Sequence, residues 1–117
     1  MTTVIVDGKE YVSRDDLSVS EDFVILRCQK AGVHAGTLVR HDADFVELAN
    51  SRRLWRWWSK FTLSGLATEG PLASKMSEQR YACVVPKLVI PTADVAEILY
   101  CTERAAKAIM EVPEWKN

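Results

Sequence analysis

The chain from Phe23 to Trp58 alternates apolar, β-branched runs with short turns, and this alternation constrains the fold more than any other feature. Connections this short join antiparallel neighbours in a sheet. A glycine inside the second run, Gly36, indicates a bulge or a close approach of another segment. The pattern predicts a meander of four strands, at Phe23–Cys28, Val33–His41, Phe45–Leu48 and Arg52–Trp58.

Two later segments have helical periodicity. The first has apolar residues on one face at Phe61, Leu63, Leu66 and Ala67, with Thr62 suited to the N-cap and Gly70 to the position after the C-cap. The second follows Thr102 as N-cap, has its apolar face at Ala105, Ala106, Ile109 and Met110, and stops before Pro113. Further strand character lies at Tyr81–Val85, Leu88–Ile90 and Val95–Tyr100. The sequence therefore predicts an α+β fold, an antiparallel β-sheet with two α-helices.

Residues 1–20 are predicted to be an N-terminal hairpin arm with its linker, and residues 21–117 a single α+β domain. Thr3–Val6 and Glu10–Val12 are strand-like, and Asp7-Gly8 between them is a preferred hairpin turn. Residues 13–20 are polar and typical of a linker. Because an isolated two-stranded hairpin is only marginally stable in water, we expect the arm to dock on this chain or on a neighbour.

Composition argues against several classes of function. The formal net charge of −1 is not that of a protein that coats nucleic-acid polymers. Three widely spaced cysteines and two histidines form no close ligand pair, so neither a metal site nor a cofactor is expected. No catalytic nucleophile motif or glycine-rich phosphate loop occurs, which predicts that the chain is not an enzyme. No apolar run approaches the ~20 residues of a membrane helix, and the first residues lack a signal-peptide pattern, so a cytoplasmic protein is expected.

The segment Arg52–Trp58 has the composition most suggestive of function, with three guanidinium groups and three indoles. Arginine binds carboxylates and phosphates through a rigid donor fork, and indole offers a broad stacking face. In an extended strand Arg53, Trp55 and Trp57 share one face, and the other face has Arg52, Leu54, Arg56 and Trp58. Three interpretations are open. The indoles are core with the arginines reaching to solvent, or Trp55, Trp57 and Trp58 form an oligomer interface, or the segment binds a ligand.

Three further residues are candidates for ligand contact. Arg104 falls in the first turn of the last helix, where the dipole disfavours a cation, and a bound anion would relieve this. The alternative is an ordinary pair with Glu97 or Glu103. Tyr81 is suited to stacking on a base, or to a half-buried place in the sheet. Thr92 is suited to a polar ligand contact, or simply to a turn after Pro91.

Three segments resemble a family of small phage proteins: Arg52–Trp57 as an RRLWxW strand, Leu63–Gly70 as an LSxLAxEG helix, and Cys101–Lys107 at the start of a CTExA terminal helix. The resemblance covers roughly residues 22–117. The family is in turn similar to phage sponges that counter Thoeris immunity by sequestering cyclic ADP-ribose signals, some of which also hold cyclic oligonucleotides. Such sponges are α+β homo-oligomers, up to hexamers, with pockets of arginines and an aromatic ring at subunit junctions.

The resemblance implies a sponge that binds a cyclic nucleotide signal without cleaving it, in the cytoplasm of an infected bacterium. It implies that Arg53 or Arg56 contacts the pyrophosphate, Tyr81 stacks on adenine, Thr92 bonds a polar edge and Arg104 adds a phosphate contact. A second hypothesis is a phage protein-interaction module that inhibits a host protein through its Trp and Arg residues. A third, an enzyme acting on nucleotides, would return product rather than intact ligand.

Overall fold

The computed structural model of the chain describes residues 3–6, 9–12, 19–60 and 62–116, with side chains from residue 22 onward. The hairpin turn Asp7-Gly8, residues 13–18 and Phe61 lie outside the described residues. The strands are β1 (Thr3–Val6), β2 (Lys9–Val12), β3 (Val19–Cys28), β4 (Val33–His41), β5 (Phe45–Arg56), β6 (Arg80–Tyr81), β7 (Val85–Pro91) and β8 (Val95–Thr102). The helices are α1 (Leu63–Glu69) and α2 (Glu103–Glu111), and two short 3₁₀ helices span Ala73–Glu78 and Thr92–Asp94.

The main sheet has six antiparallel strands in the order β6-β5-β4-β3-β8, with β7 also paired to β5. Strand β5 pairs with β4 along one of its sides. Along its other side it pairs first with β7 and then with β6. Strands β1 and β2 pair with each other as a separate two-stranded sheet. The predicted α+β class, an antiparallel sheet with two α-helices, is confirmed.

Strand β5 corrects the predicted meander, because the third and fourth predicted strands are one strand of 12 residues. The register with β4 shifts between Ala49 and Arg52, where Asn50 has φ of 49°. Asparagine tolerates this left-handed conformation, so the chain makes a β-bulge where the sequence indicated a break. The strand also ends at Arg56 rather than Trp58. The predicted strand Tyr81–Val85 is likewise divided between β6 and β7.

The two faces of the sheet carry separate apolar cores. On one face the helices α1 and α2 pack against strand residues that include Ile25, Ala35 and Leu54. The other core contains Val24, Leu26, Val46, Leu48 and Ile90, each 0–2% exposed. Strands β7 and β8 lie at opposite edges of the sheet, yet the 3₁₀ turn Thr92–Asp94 joins them directly. The sheet must therefore curl, and the curl encloses the second core.

The predicted local signals for the helix ends and for the close approach are confirmed. Thr62 caps α1 by accepting a hydrogen bond from the Ser64 amide (3.3 Å), and Gly70 follows with φ of 86°. Thr102 caps α2 in the same way through the Ala105 amide (3.1 Å). At Gly36 a Cβ would lie 2.7 Å from Cβ of Ser51, which explains the absence of a side chain.

Among the described residues, no helix has the length and apolar character needed to cross a bilayer. The same residues contain no group of three or more His, Cys, Asp or Glu side chains placed to hold a metal ion.

Candidate functional site

Arg52 is a buried structural residue, 3% exposed. Its Nη1 donates to the carbonyl oxygens of Val112 (2.7 Å) and Ile109 (3.2 Å), at the C-terminal end of α2. Its Nε donates to the carbonyl oxygen of Ala82 (2.9 Å) between β6 and β7. Burial lowers the pKa of the guanidinium, but arginine remains charged in proteins. The side chain therefore caps α2 with a cation and ties the helix to the sheet.

Tyr81, the residue expected to stack on a base, is 0% exposed and belongs to the core beneath the helices. The guanidinium of Arg52 lies over its ring, 5.3 Å from the centroid. Its hydroxyl has no hydrogen-bond partner among the described residues, and burial raises its pKa well above the ordinary value. In this structure the ring is not accessible to a ligand.

Arg53 is exposed and reaches back along the sheet to the β3–β4 turn. Its Nη2 donates to the carbonyl oxygen of Ala31 (3.1 Å). His34, its register partner, is 4% exposed, and Nε2 of that ring is 2.8 Å from the same oxygen. Desolvation lowers the pKa of His34. This arrangement directs Arg53 toward the turn, at one end of β4.

Thr92 belongs to the crossover between β7 and β8, where its polar groups are used internally. Its hydroxyl donates to the Asp42 carbonyl (2.8 Å) and its amide to the Asp44 carbonyl (2.9 Å). Two residues later, the Asp94 carboxylate accepts hydrogen bonds from the amides of Lys30 and Ala31, both at 2.9 Å. The crossover is thus fixed to the β3–β4 turn and to the β4–β5 turn, and Thr92 has the turn role that was one of its two interpretations.

Arg104 lies in the first turn of α2 and lines an open cleft of about 260 Å³ with Lys60, Glu69 and Pro71. Its Nη2 is 4.0 Å from Oε1 of Glu69, and Nζ of Lys60 is 4.0 Å from the other oxygen of that carboxylate. The partner is therefore neither Glu97 nor Glu103, the two acids expected from the sequence. Among the described residues, Glu69 is thus in contact with both Lys60 and Arg104.

The three predicted interface indoles have different environments. Trp57 is partly buried against the core beneath the helices. Trp58 is 38% exposed, and the side-chain amide of Gln79 fixes its backbone through two hydrogen bonds of 2.9 Å. Trp55 is 53% exposed and lies at a bulge, because Leu54 pairs with Tyr81 while Arg56 pairs with Arg80.

Trp55 is the centre of a surface that sequence reasoning only half identified, formed by Trp55, Arg56, Arg80 and Trp115 and called the Arg/Trp patch below. The indoles of Trp55 and Trp115 meet edge to face, with centroids 5.3 Å apart. The guanidinium carbon of Arg80 lies 4.7 Å from the Trp115 centroid. The Trp115 amide donates to the carbonyl of Tyr81 (2.9 Å), which places the chain end beside β6.

The Arg/Trp patch is positively charged and exposed. Arg56 and Arg80 are cross-strand partners, and among residues 22–60 and 62–116 neither has a carboxylate within 4.0 Å. On its other side Trp115 borders a groove of about 420 Å³ with Met76, Gln79 and Pro113. Unpaired guanidinium groups beside indole rings suit a planar, anionic ligand.

The structure therefore places the five predicted ligand residues, Arg53, Arg56, Tyr81, Thr92 and Arg104, in several regions rather than in one pocket of a single chain. Arg80 and Trp115 were not among the candidate site residues predicted from the sequence. The missing signal was the pairing of β6 with β5, which joins residues more than 20 positions apart.

Comparison with known proteins places most of the chain in one family. No curated protein and no solved structure gives a significant match. A family model described as a domain of unknown function, DUF6948, matches residues 21–109, which span the sheet from β3 to β8 and most of α2. The chain therefore belongs to the DUF6948 family.

Proposed function

We propose that this chain is a phage anti-defence sponge that binds a cyclic nucleotide signal, of the cyclic ADP-ribose or cyclic oligonucleotide type, without cleaving it. The observation that supports the proposal is the Arg/Trp patch, where the cross-strand pair Arg56 and Arg80 lies beside the indoles of Trp55 and Trp115. A sponge of this kind would act in the cytoplasm of the infected bacterium.

The charge arrangement favours an anionic ligand. Like charges directly opposite each other on neighbouring strands destabilise a sheet. A phosphate or pyrophosphate between Arg56 and Arg80 would remove that repulsion and accept charge-assisted hydrogen bonds from both forks. Binding energy is therefore available from two arginines that no described carboxylate neutralises.

The indoles favour a base. The exposed ring of Trp55 is supported edge-on by Trp115, which Arg80 in turn covers. A base stacked on such a ring contributes about 1–3 kcal/mol. Together with two charge-assisted contacts, this is compatible with dissociation constants near 1 μM, about −8 kcal/mol, provided that the site is preformed.

The other predicted residues have a defined place in this proposal. Arg56 acts within the patch, and Trp55 takes the stacking role expected of Tyr81. Arg53 and Arg104 contribute where a neighbouring copy in a homo-oligomer brings them to the ligand, while Thr92 holds the crossover between β7 and β8. Homo-oligomers with junctional pockets are what the resemblance to phage sponges implies.

The direct test is calorimetric titration with cyclic ADP-ribose isomers and with cyclic di- and trinucleotides. Arg56→Gln is expected to weaken binding at least tenfold while leaving the folded chain at least as stable as before, because it also removes the Arg56–Arg80 repulsion. The matched control is Arg40→Gln, another exposed arginine, whose partner is Asp42 at 3.4 Å. Equal loss in both variants, or no binding of any ligand by the wild type, would contradict the proposal.

Recovery of the ligand separates a sponge from an enzyme. The complex is denatured by heat, and the released nucleotide is identified by mass spectrometry. The intact ligand is expected, and a cleaved product would show that the chain is an enzyme.

A second candidate function is a module that binds and inhibits a host protein. The observation that favours it is the exposed apolar surface of Trp55, Val84 and Val85, which are 37–53% exposed. Tryptophan beside arginine is typical of interface hot spots. Capture of one host protein by the wild type but not by Trp55→Ala, together with absent nucleotide binding, would favour this function over the first.

A further inference from the structure

The two free edges of the main sheet differ in how they are protected from pairing. One edge is formed by β6 and β7, which both pair with β5. The other edge is the side of β8 that does not face β3. An unpaired edge offers a row of backbone donors and acceptors to any extended chain, and proteins normally block such edges with proline, lysine or a covering segment.

Strand β7 carries several such residues, whereas the one charged residue of β8, Glu97, is paired with Arg27 of β3 at 2.7 Å. Pro86, Lys87 and Pro91 are spread along the seven residues of β7. The eight residues of β8 contain neither proline nor lysine, and Tyr100 on this strand is 51% exposed. Among the described strands, β8 pairs with β3 alone. An open edge of this length and composition requires a cover.

The N-terminal hairpin, formed by β1 and β2, is separate from the main sheet. Strands β1 and β2 pair with each other through four register positions and with no other described strand. Two strands of four residues are marginal on their own in water. The sequence of β1, Thr3–Val6, consists entirely of β-branched residues, which favour a place inside a larger sheet.

The hairpin is attached to the main sheet at a point next to the end of β8. The first residue of β3, Val19, pairs with Thr102 at the end of β8. Seven Cα–Cα steps separate Val12 from Val19, so the linker spans at most about 25 Å. That reach allows the hairpin to leave its own sheet beside β8 and enter a neighbouring molecule.

We propose that the hairpin β1–β2 of one copy of this chain pairs with the open edge of β8 in a second copy, and adds two strands to its six-stranded sheet. The occupant is a second copy because, within one chain, the hairpin pairs only with itself among the described strands. When each of two copies related by two-fold symmetry gives its hairpin to the other, the β8 edges of both copies are paired at once. The exposed Tyr100 side chain is covered in the assembly. This interface stands independently of the nucleotide ligand.

The first test is the mass of the chain in solution by light scattering, with the full chain and a variant that lacks residues 1–18. The full chain, of 13.2 kDa, is expected to have the mass of two or more copies, and the shortened chain the mass of one copy. Among the side chains that the structure describes, both apolar cores begin at or after Phe23, and the deletion leaves all of these core residues in place. A full chain with the mass of one copy, or a shortened chain that still assembles, would overturn the proposal.

A matched pair of point variants tests the edge itself. Tyr100→Lys adds a charge to β8, and Val89→Lys adds the same charge at an exposed apolar position of β7 (42% exposed). Tyr100→Lys is expected to raise the concentration for half-dissociation at least tenfold, while Val89→Lys leaves it unchanged. Equal effects, or a larger effect of Val89→Lys, would exclude β8 as the docking edge. Circular dichroism confirms that each variant is folded.

Discussion

Nη1 of Arg52 donates a hydrogen bond of 2.7 Å to the carbonyl oxygen of Val112, the residue that ends α2. The same nitrogen lies 3.2 Å from the carbonyl oxygen of Ile109, which also accepts a longer bond from the Val112 amide, so one buried cation serves two carbonyls at the end of the helix. Three arginines lie close together in the sequence at 52, 53 and 56, and this contact distinguishes the structural one from the two exposed ones.

Replacement of Arg52 with Met is expected to lower the free energy of unfolding by about 3 kcal/mol or more. The change removes the Arg52 donors to the carbonyls of Val112 and Ala82, at about 1–3 kcal/mol for each, and leaves Ile109 with the 3.4 Å bond from the Val112 amide. Denaturant unfolding measures the effect. Arg56→Met is the matched control, because Arg56 is exposed and the same chemical change there is expected to stay within about 0.5 kcal/mol. Similar unfolding midpoints for the two variants would contradict the capping role.

Asp94 is expected to stabilise the crossover that joins β7 to β8. Asp94→Ala removes the acceptors for the Lys30 and Ala31 amides, and a loss of about 2 kcal/mol is expected in thermal or denaturant unfolding. Asp44→Ala serves as the control, since Asp44 contributes to the crossover through its backbone carbonyl rather than its carboxylate. An effect of Asp44→Ala as large as that of Asp94→Ala would argue against the role of the Asp94 side chain.

The approach of Ser51 to Gly36 makes a prediction about packing between β4 and β5. In Gly36→Ala the new Cβ would meet Cβ of Ser51 at 2.7 Å, and a loss of about 1–3 kcal/mol is expected. Adding Ser51→Gly to Gly36→Ala should recover part of this stability, because it removes the nearest clashing atom, Cβ of Ser51, while Cα of that residue at 2.8 Å remains. A double variant no more stable than Gly36→Ala would indicate that the backbone, rather than the Ser51 side chain, sets the limit.

Because the thiol of Cys101 is buried, we expect the folded chain to lose stability at alkaline pH. Burial raises the pKa of its thiol from 9.0 to about 12, so the folded chain keeps the thiol neutral while the unfolded chain ionises it. Stability is fully present below pH 9 and declines as pH rises toward 12, by up to about 1.4 kcal/mol per pH unit. Unfolding under reducing conditions between pH 8 and 10 measures the slope. Cys101→Ala should flatten it, while Cys83→Ala, at an exposed cysteine, should not. An unchanged slope in Cys101→Ala would contradict this account.

The sequence predicted the elements whose signals are local. Thr62 and Thr102 were identified as caps because a hydroxyl three positions or fewer from an unpaired amide can accept its hydrogen bond. Gly36 was identified as a close approach because an isolated glycine in a strand is otherwise unfavourable. The bulge at Asn50 was missed, since a left-handed residue inside a strand and a short turn look alike in the sequence.

The candidate site was predicted less completely, because it depends on contacts between residues that are far apart in the sequence. The segment Arg52–Trp58 was recognised by composition, but its periodicity could not show which arginine is buried. That depends on α2, whose carbonyls lie 57–60 positions further along the chain from Arg52. Arg80 and Trp115 joined the Arg/Trp patch only through strand pairing and through the path of the chain end.

The sequence by itself determined the α+β class, the ends of both helices and the presence of a positive, indole-rich segment. These depend on neighbouring residues, for which side-chain spacing and hydrogen-bonding capacity are enough. The tertiary structure decided that Arg52 caps a helix, that Tyr81 is core, and that Arg56 meets Arg80 beside two indoles. Each of these depends on which distant segments the curled sheet brings together, because burial and pairing, rather than residue type, decide whether a guanidinium group or a ring remains available for binding.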